Sequence, residues 1–167
     1  MSALLGIDVG ERRLGVALAE DGGLSARPLV TLPRGRQVAA DAAALRALAD
    51  RHGVGGIVVG LPLEAAGGEG RQADLTRAWA SGISAILGEE LPISFRDERL
   101  SSHLAETRLG PMKRGRSGGP PTRDQRAGYR ARVDREAAAI ILQDELDARR
   151  EARASAAPLP ATQEDSR

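Results

Sequence analysis

The 167-residue chain has no cysteine, which excludes disulfides and thiolate metal sites and fits a reducing, cytoplasmic setting. Aromatic residues are almost missing: Trp79, Phe95 and Tyr129 make up 2% of the chain. The core must then be built from Leu, Ile, Val and Ala, and stacking of bases on rings is a poor route to any nucleic-acid partner. Formal net charge is only +1, so the charge of the whole molecule points to no polyanion. No apolar run is long enough to cross a bilayer, and the first residues lack the basic and apolar segments of a secretory leader. These absences leave a soluble domain with no membrane partner. With 41% hydrophobic residues, the length suits one domain with a real core.

The stretch Leu4-Leu5-Gly6-Ile7-Asp8-Val9-Gly10 organises the rest. It is too short and too β-prone for a core helix and reads as a buried strand. Alternation puts Leu5, Ile7 and Val9 on one face, with Leu4, Gly6, Asp8 and Gly10 on the other. Asp8 therefore has glycine on both sides along its face. A buried carboxylate needs a cation, donors or a metal, and the glycines leave space for one to approach. The bland reading is a turn-forming aspartate at a strand end.

Residues 13–19 read as a second strand in a hairpin with the first, and residues 24–32 as a third. Residues 36–52 switch to helical period, with Val38, Ala42, Leu45 and Ala49 on one face and Gly53 as a stop. Residues 57–60 are an apolar run expected to be a buried parallel strand. Leu75, Trp79, Ile83 and Ile86 predict the next amphipathic helix, residues 92–95 a fifth strand, and residues 102–109 a helix. Residues 110–132 read as a loop rich in Gly, Pro and basic side chains: Lys113, Arg114, Arg116, Arg123, Arg126, Arg130 and Arg132. A last helix is expected over 133–149, and a disordered tail over 150–167. This order predicts an α/β fold of ribonuclease H-like type, a mixed five-stranded sheet flanked by helices, over residues 1–149.

Such a fold would gather acids from distant parts of the chain. Asp8 lies on the first strand. Asp97 and Glu98 lie just past the fifth, where open α/β sheets place their ligands. Asp134 opens the last helix, on its inward stripe with Ala137, Ala138 and Ile141. Taken singly, Asp134 also complements a helix dipole, and Asp97 and Glu98 also read as surface charges. Hard cations such as Mg²⁺ or Mn²⁺ take oxygen ligands, and a pair of them can drive phosphodiester cleavage. From charge alone the basic segment reads first as a solvated loop; its place between the second and third acids is what suggests that it holds a nucleic-acid backbone over them, without reading its sequence.

Four pieces, LGIDVGERRLGVAL, IVVGLPLEAAGGEG, FRDERLSS and VDREAAAIIL, together resemble the YqgF family, also called RuvX, of Holliday-junction-resolvase-like proteins. The resemblance spans residues 3–147. It implies a metal-dependent nuclease that processes the 5′ end of the small-subunit ribosomal RNA precursor, pre-16S rRNA. It also implies Asp8, Glu98 and Asp134 as the catalytic and metal-binding acids, with Asp97 the other candidate beside Glu98. Arg99 is a candidate phosphate contact together with the basic side chains of 110–132. The arginine-rich loop and the tail depart from the family pattern and bear on substrate preference. A junction resolvase acting as a dimer on branched DNA is the nearer alternative, so the chain is expected as a monomer or a homodimer. A binding module without catalysis is an alternative of another class. An actin-like or sugar-kinase ATPase, which also carries Asp-x-Gly on its first strand, would need a second domain that this length does not hold.

Overall fold

The computed structural model describes residues 2–64, 66–98, 101–113 and 118–156. Its elements are β1 (Ala3–Val9), β2 (Arg13–Ala19), β3 (Arg27–Pro33), α1 (Val38–His52), β4 (Val54–Leu61), α2 (Arg71–Leu87), β5 (Ile93–Asp97), α3 (Ser101–Leu109) and α4 (Arg123–Ala156). The five strands form one sheet in the order β3-β2-β1-β4-β5. The first three strands pair antiparallel through hairpin links. β4 and β5 run parallel to β1, reached through α1 and α2. This is the mixed ribonuclease H-like sheet expected from the element order.

The alternation read along β1 sorts the two layers. Leu5, Ile7 and Val9 join Leu14, Val16 and Leu18 of β2 in a core closed by Ala42, Leu45, Trp79 and Ile83 of α1 and α2. Leu4, Ala17, Ala19 and Val58 face the other way, onto Ala138, Ile141, Leu142 and Leu146 of α4. Val54 and Ile57 lie three apart in β4 yet share the first core, because the register with β1 slips by one between Ala3 and Leu5.

α4 crosses the sheet diagonally, and small residues let it lie close. The Thr31 hydroxyl of β3 donates to the Ala131 carbonyl at 2.5 Å. Gly15 of β2 takes the Asp134 carbonyl, Gly6 of β1 takes Ala138 and Leu142, and Gly60 of β4 takes Ile141. At the far edge Arg96 of β5 donates to Glu145 at 2.5 Å. α3 leans on the outer flank of α4, with Ala105 against Val133, Ala137 and Ile140.

Several expectations need correction. The last helix begins at Arg123, not at 133, so Arg123, Arg126, Arg130 and Arg132 stand on a helix rather than in a loop. The cause is a capping box: Gln125 N–H donates to Thr122 Oγ1 while Thr122 N–H donates to Gln125 Oε1. Asp134 consequently sits three turns inside α4 instead of opening it. The same helix runs on to Ala156, so the first residues of the expected tail are helical; 157–167 lie outside the described residues. β3 starts at Arg27, and Leu24 is exposed. In α2 the buried stripe is Ala73, Thr76, Trp79, Ala80, Ile83 and Leu87, while Leu75 and Ile86 face solvent. Among the described residues no helix is long and apolar enough to cross a membrane.

One buried acid had not been singled out. Asp41 of α1 is 3% exposed and accepts from Gly35 N–H at 2.7 Å and Trp79 Nε1 at 2.9 Å, with Arg34 Nε 3.7 Å away. It pins α1 to α2 and to the chain entering α1. Asp41→Ala strands one buried and one half-buried donor and should lower unfolding free energy by about 2–3 kcal/mol. Denaturant titration of the variant checks this; a loss below about 0.5 kcal/mol, the size of an ordinary surface change, would contradict it.

Candidate active site

Because β1, β4 and β5 are parallel, their carboxyl ends lie on one edge, where ligands of open α/β sheets gather. Asp8 is near the end of β1, directly across from Gly15 of β2. On its other side the Ile7–Val59 pairing brings β4 past it, with Gly60 next in line. A row of Gly15, Asp8 and Gly60 thus runs across three strands on the face that α4 covers.

The glycines flanking Asp8 along β1 do something other than the sequence suggested. A methyl at Gly6 would lie 2.7 Å from the Ala138 carbonyl oxygen, and one at Gly10 would lie 2.9 Å from the Arg13 carbonyl oxygen. They admit α4 and close the hairpin, so the space they leave is filled by the chain itself.

Glu98 follows β5 and is fixed by its backbone. Its N–H donates to Leu61 O at 3.2 Å, and its carbonyl accepts from the Ser101 N–H and hydroxyl, both at 3.0 Å. The side chain turns inward over Gly60, whose missing Cβ leaves room for it. Asp97, one residue earlier, is exposed. Alternation past the strand end therefore separates the two acids: Glu98 faces the sheet and Asp97 faces out. Glu98 Oε2 is buried and, among the described residues, has no hydrogen-bond partner.

Asp134 approaches from α4, on the stripe expected for it. Its carboxylate accepts from Arg13 Nε at 2.5 Å, with both side chains partly covered. Sequence reasoning missed Arg13, although the alternation that faces Leu14 and Val16 into the core puts Arg13 and Gly15 on the face of Asp8.

The electrostatics order the three acids in space. Burial pushes the Asp8 carboxyl up to about 7, with the negative charge of Asp134 adding to it. Burial also pushes Glu98 up to about 8, helped by the charges of Asp8 and then Asp97. Asp8 is thus the middle member, with Asp134 on one side and Glu98 on the other. Both raised values mean that two anions are crowded into a place with little water.

These residues suit a hard divalent cation in their chemistry. The donors are carboxylate oxygens, and one of them is buried with nothing to bond. Among the described residues, however, no three acidic or histidine side chains already stand as a ligand set. The acids share a neighbourhood, and the Asp134 carboxylate is bonded to Arg13.

The basic candidates divide into groups. Arg99, Arg114 and Arg116 lie outside the described residues. Arg123, Arg126 and Arg130 are exposed on the first two turns of α4, at the 3–4–4 spacing that continues into Asp134. Arg126 also donates to Pro121 O at 2.6 Å. Arg132, two residues from Asp134, points to the opposite side, where it lines a shallow groove of about 450 Å³ with Lys113, Tyr129 and Arg135.

A family profile described as "RuvX: Holliday junction resolvase" matches residues 2–148. A protein of Synechococcus sp. named "Putative pre-16S rRNA nuclease" is 43% identical over 151 residues, spanning 90% of this chain and 93% of its own. One of the same name from Anaeromyxobacter dehalogenans is 44% identical over 145 residues, 87% of this chain and 96% of its own. Among solved structures, T. thermophilus RuvC in complex with a Holliday junction substrate matches with a TM-score of 0.52. It is 16% identical, and the match covers 90% of this chain and 97% of that one. At that identity the likeness is one of fold.

Proposed function

The chain belongs to the RuvX family, and from that premise we propose that it is a metal-dependent nuclease of the cytoplasm that hydrolyses phosphodiester bonds at the 5′ end of pre-16S rRNA. The observation that carries this reading is the buried, partnerless Glu98 Oε2 beside Asp8, at the carboxyl ends of three parallel strands. A carboxylate kept in that condition is one poised for a cation.

Asp8, Glu98 and Asp134 are the residues that would hold Mg²⁺ or Mn²⁺. When bound, such ions lower the pKa of the attacking water and offset the charge gathering on the phosphate. The chain supplies the rest. Gly15 and Gly60 let α4 and Glu98 close over Asp8, which limits bulk water. Arg123, Arg126 and Arg130 form a track on α4 that ends at Asp134. Successive arginines on one helical stripe stand about 5–6 Å apart, close to the phosphate spacing of an extended strand. That track would bind the backbone and lead it to the acids without reading bases.

Arg130→Ala should weaken binding to single-stranded RNA of any sequence and reduce the slope of log affinity against log salt by about 0.7. Arg132→Ala, on the other side of α4, should change the slope less. Equal effects of the two, measured by fluorescence anisotropy over a salt series, would contradict the track. The substrate is tested by offering Mn²⁺-loaded protein a 5′-extended 16S precursor fragment and a four-way DNA junction. Cleavage of the RNA supports the reading; cutting of the junction alone favours the resolvase alternative.

A further inference from the structure

Arg13 stands where a metal-binding acid should be free. It opens β2, and its guanidinium Nε lies 2.5 Å from Asp134 Oδ2, with side chains 33% and 23% exposed. The hairpin fixes its origin: Gly10 N–H donates to Arg13 O at 2.9 Å, so the residue is set at the mouth of the face that carries Asp8. A hydrogen bond between a guanidinium and a carboxylate is charge-assisted and stronger than one between neutral groups.

The pair serves only one member of the acidic row. Asp134 has a cation bonded to it, whereas Glu98 Oε2 has no hydrogen-bond partner among the described residues. An oxygen of Asp134 that accepts from Arg13 at this distance cannot at the same time give that lone pair to an ion.

We propose that Arg13 is a resident counter-cation that competes with the divalent ion for Asp134, so that loading the site displaces the guanidinium from the carboxylate. This rests on the metal-dependent reading given above. Its consequence is that Arg13 sets the ion concentration at which the site fills, and becomes available to a substrate phosphate only once the site is filled. Arg13 is a positioning residue before the ion binds and a phosphate contact afterwards. No bond is made or broken beyond the exchange of one cation for another on the carboxylate.

The test combines calorimetry with a spectroscopic signature. Mn²⁺ binding is measured by titration calorimetry for wild type, Asp8→Asn, Arg13→Gln and Arg13→Lys. Arg13→Gln should bind Mn²⁺ about tenfold more tightly than wild type, equivalent to about 1.4 kcal/mol, with Arg13→Lys between the two. In the wild-type protein, the Arg13 Nε–H proton should resonate as a hydrogen-bonded, slowly exchanging signal that is lost on saturation with Mg²⁺. Loss of that signal distinguishes displacement from a general change of local charge, and it needs no variant to fold. Unchanged Mn²⁺ affinity in Arg13→Gln, or an Nε–H signal that persists at saturating Mg²⁺, would overturn the proposal while leaving the metal site standing. Equal Mn²⁺ binding by wild type and Asp8→Asn would overturn the metal site itself, and this proposal with it.

Discussion

Asp8→Asn should abolish cleavage, by at least about a thousandfold, and at the same time make the protein more stable at pH 8. Both effects come from the same crowding. The folded-state carboxyl of Asp8 is raised from 3.8 to about 7, so the folded protein holds this proton more tightly than the unfolded chain does. Below about pH 4 the group is protonated in both states and contributes no penalty. As pH rises toward 7 the unfolded chain releases the proton first, and stability falls. Above about 7 the anion is forced into the fold and the whole penalty is present. Its size is on the order of 4 kcal/mol for a shift of this kind. Glu98, raised to about 8, acts with the same sign and extends the decline upward. Asparagine has no such charge to bury. The variant's melting temperature should exceed that of wild type by several degrees at pH 8, by about 2–4 °C per kcal/mol for a chain of this size. The gap should narrow as pH is lowered to 5. Adding Mn²⁺ should raise the wild-type melting temperature and leave the variant unchanged. A variant less stable than wild type at pH 8 would show that the Asp8 anion is supported by its surroundings and not opposed by them.

The second large effect concerns two glycines whose substitution looks minor. In Gly15→Ala the new methyl would fall on the backbone carbonyl of Asp134, which cannot turn aside without moving α4. Close-packed interiors resist such insertions, and a cost of about 3 kcal/mol is expected together with loss of cleavage. In Gly60→Ala the methyl meets Glu98 Oε2 and lies 2.5 Å from Ile141 Cδ1, both of them ends of side chains that can yield. The fold should then survive with a loss near 1 kcal/mol, as for mild overpacking, while Glu98 is pushed off Asp8. Activity should fall by about a hundredfold, as expected for a displacement of roughly 1 Å. The contrast separates fold from site. Wild-type cleavage by a well-folded Gly60→Ala protein would remove Glu98 from the chemistry.

Much of the fold was legible because β1 and β2 follow the alternation of a two-faced sheet closely. Leu5, Ile7 and Val9 separated from Leu4, Gly6 and Asp8 as their order required, and Gly53 stopped α1 where the period broke. The first ten residues of α4, nearly three turns, read as a loop because Gly118, Pro120 and Pro121 and a run of arginines resemble one in composition. The Thr122–Gln125 capping box was the local signal that outweighed them. In α2, Leu75 and Ile86 fit a helical period by hydrophobicity alone, but the sheet beneath selects the neighbouring stripe of Ala73, Thr76 and Ala80.

The site was legible only in part. Asp8 stood out through its glycine surroundings, although those glycines turned out to serve α4 and the hairpin. Whether Asp97 or Glu98 turns inward depends on strand register, which composition does not carry; exposure of Asp97 and burial of Glu98 Oε2 distinguish them. Arg13 was hidden because its partner lies 121 residues away on α4. Pairings at that separation are made by the fold and leave no local trace.

Convergence of Asp8, Glu98 and Asp134 on one divalent ion is decided by anomalous diffraction from crystals grown with MnCl₂. The expected map has its manganese peak bonded to Asp8 and Glu98 Oε2, with Asp134 turned away from Arg13 and toward the ion. A peak bonded to neither Asp8 nor Glu98, in a protein whose Asp134 still holds Arg13, would contradict it.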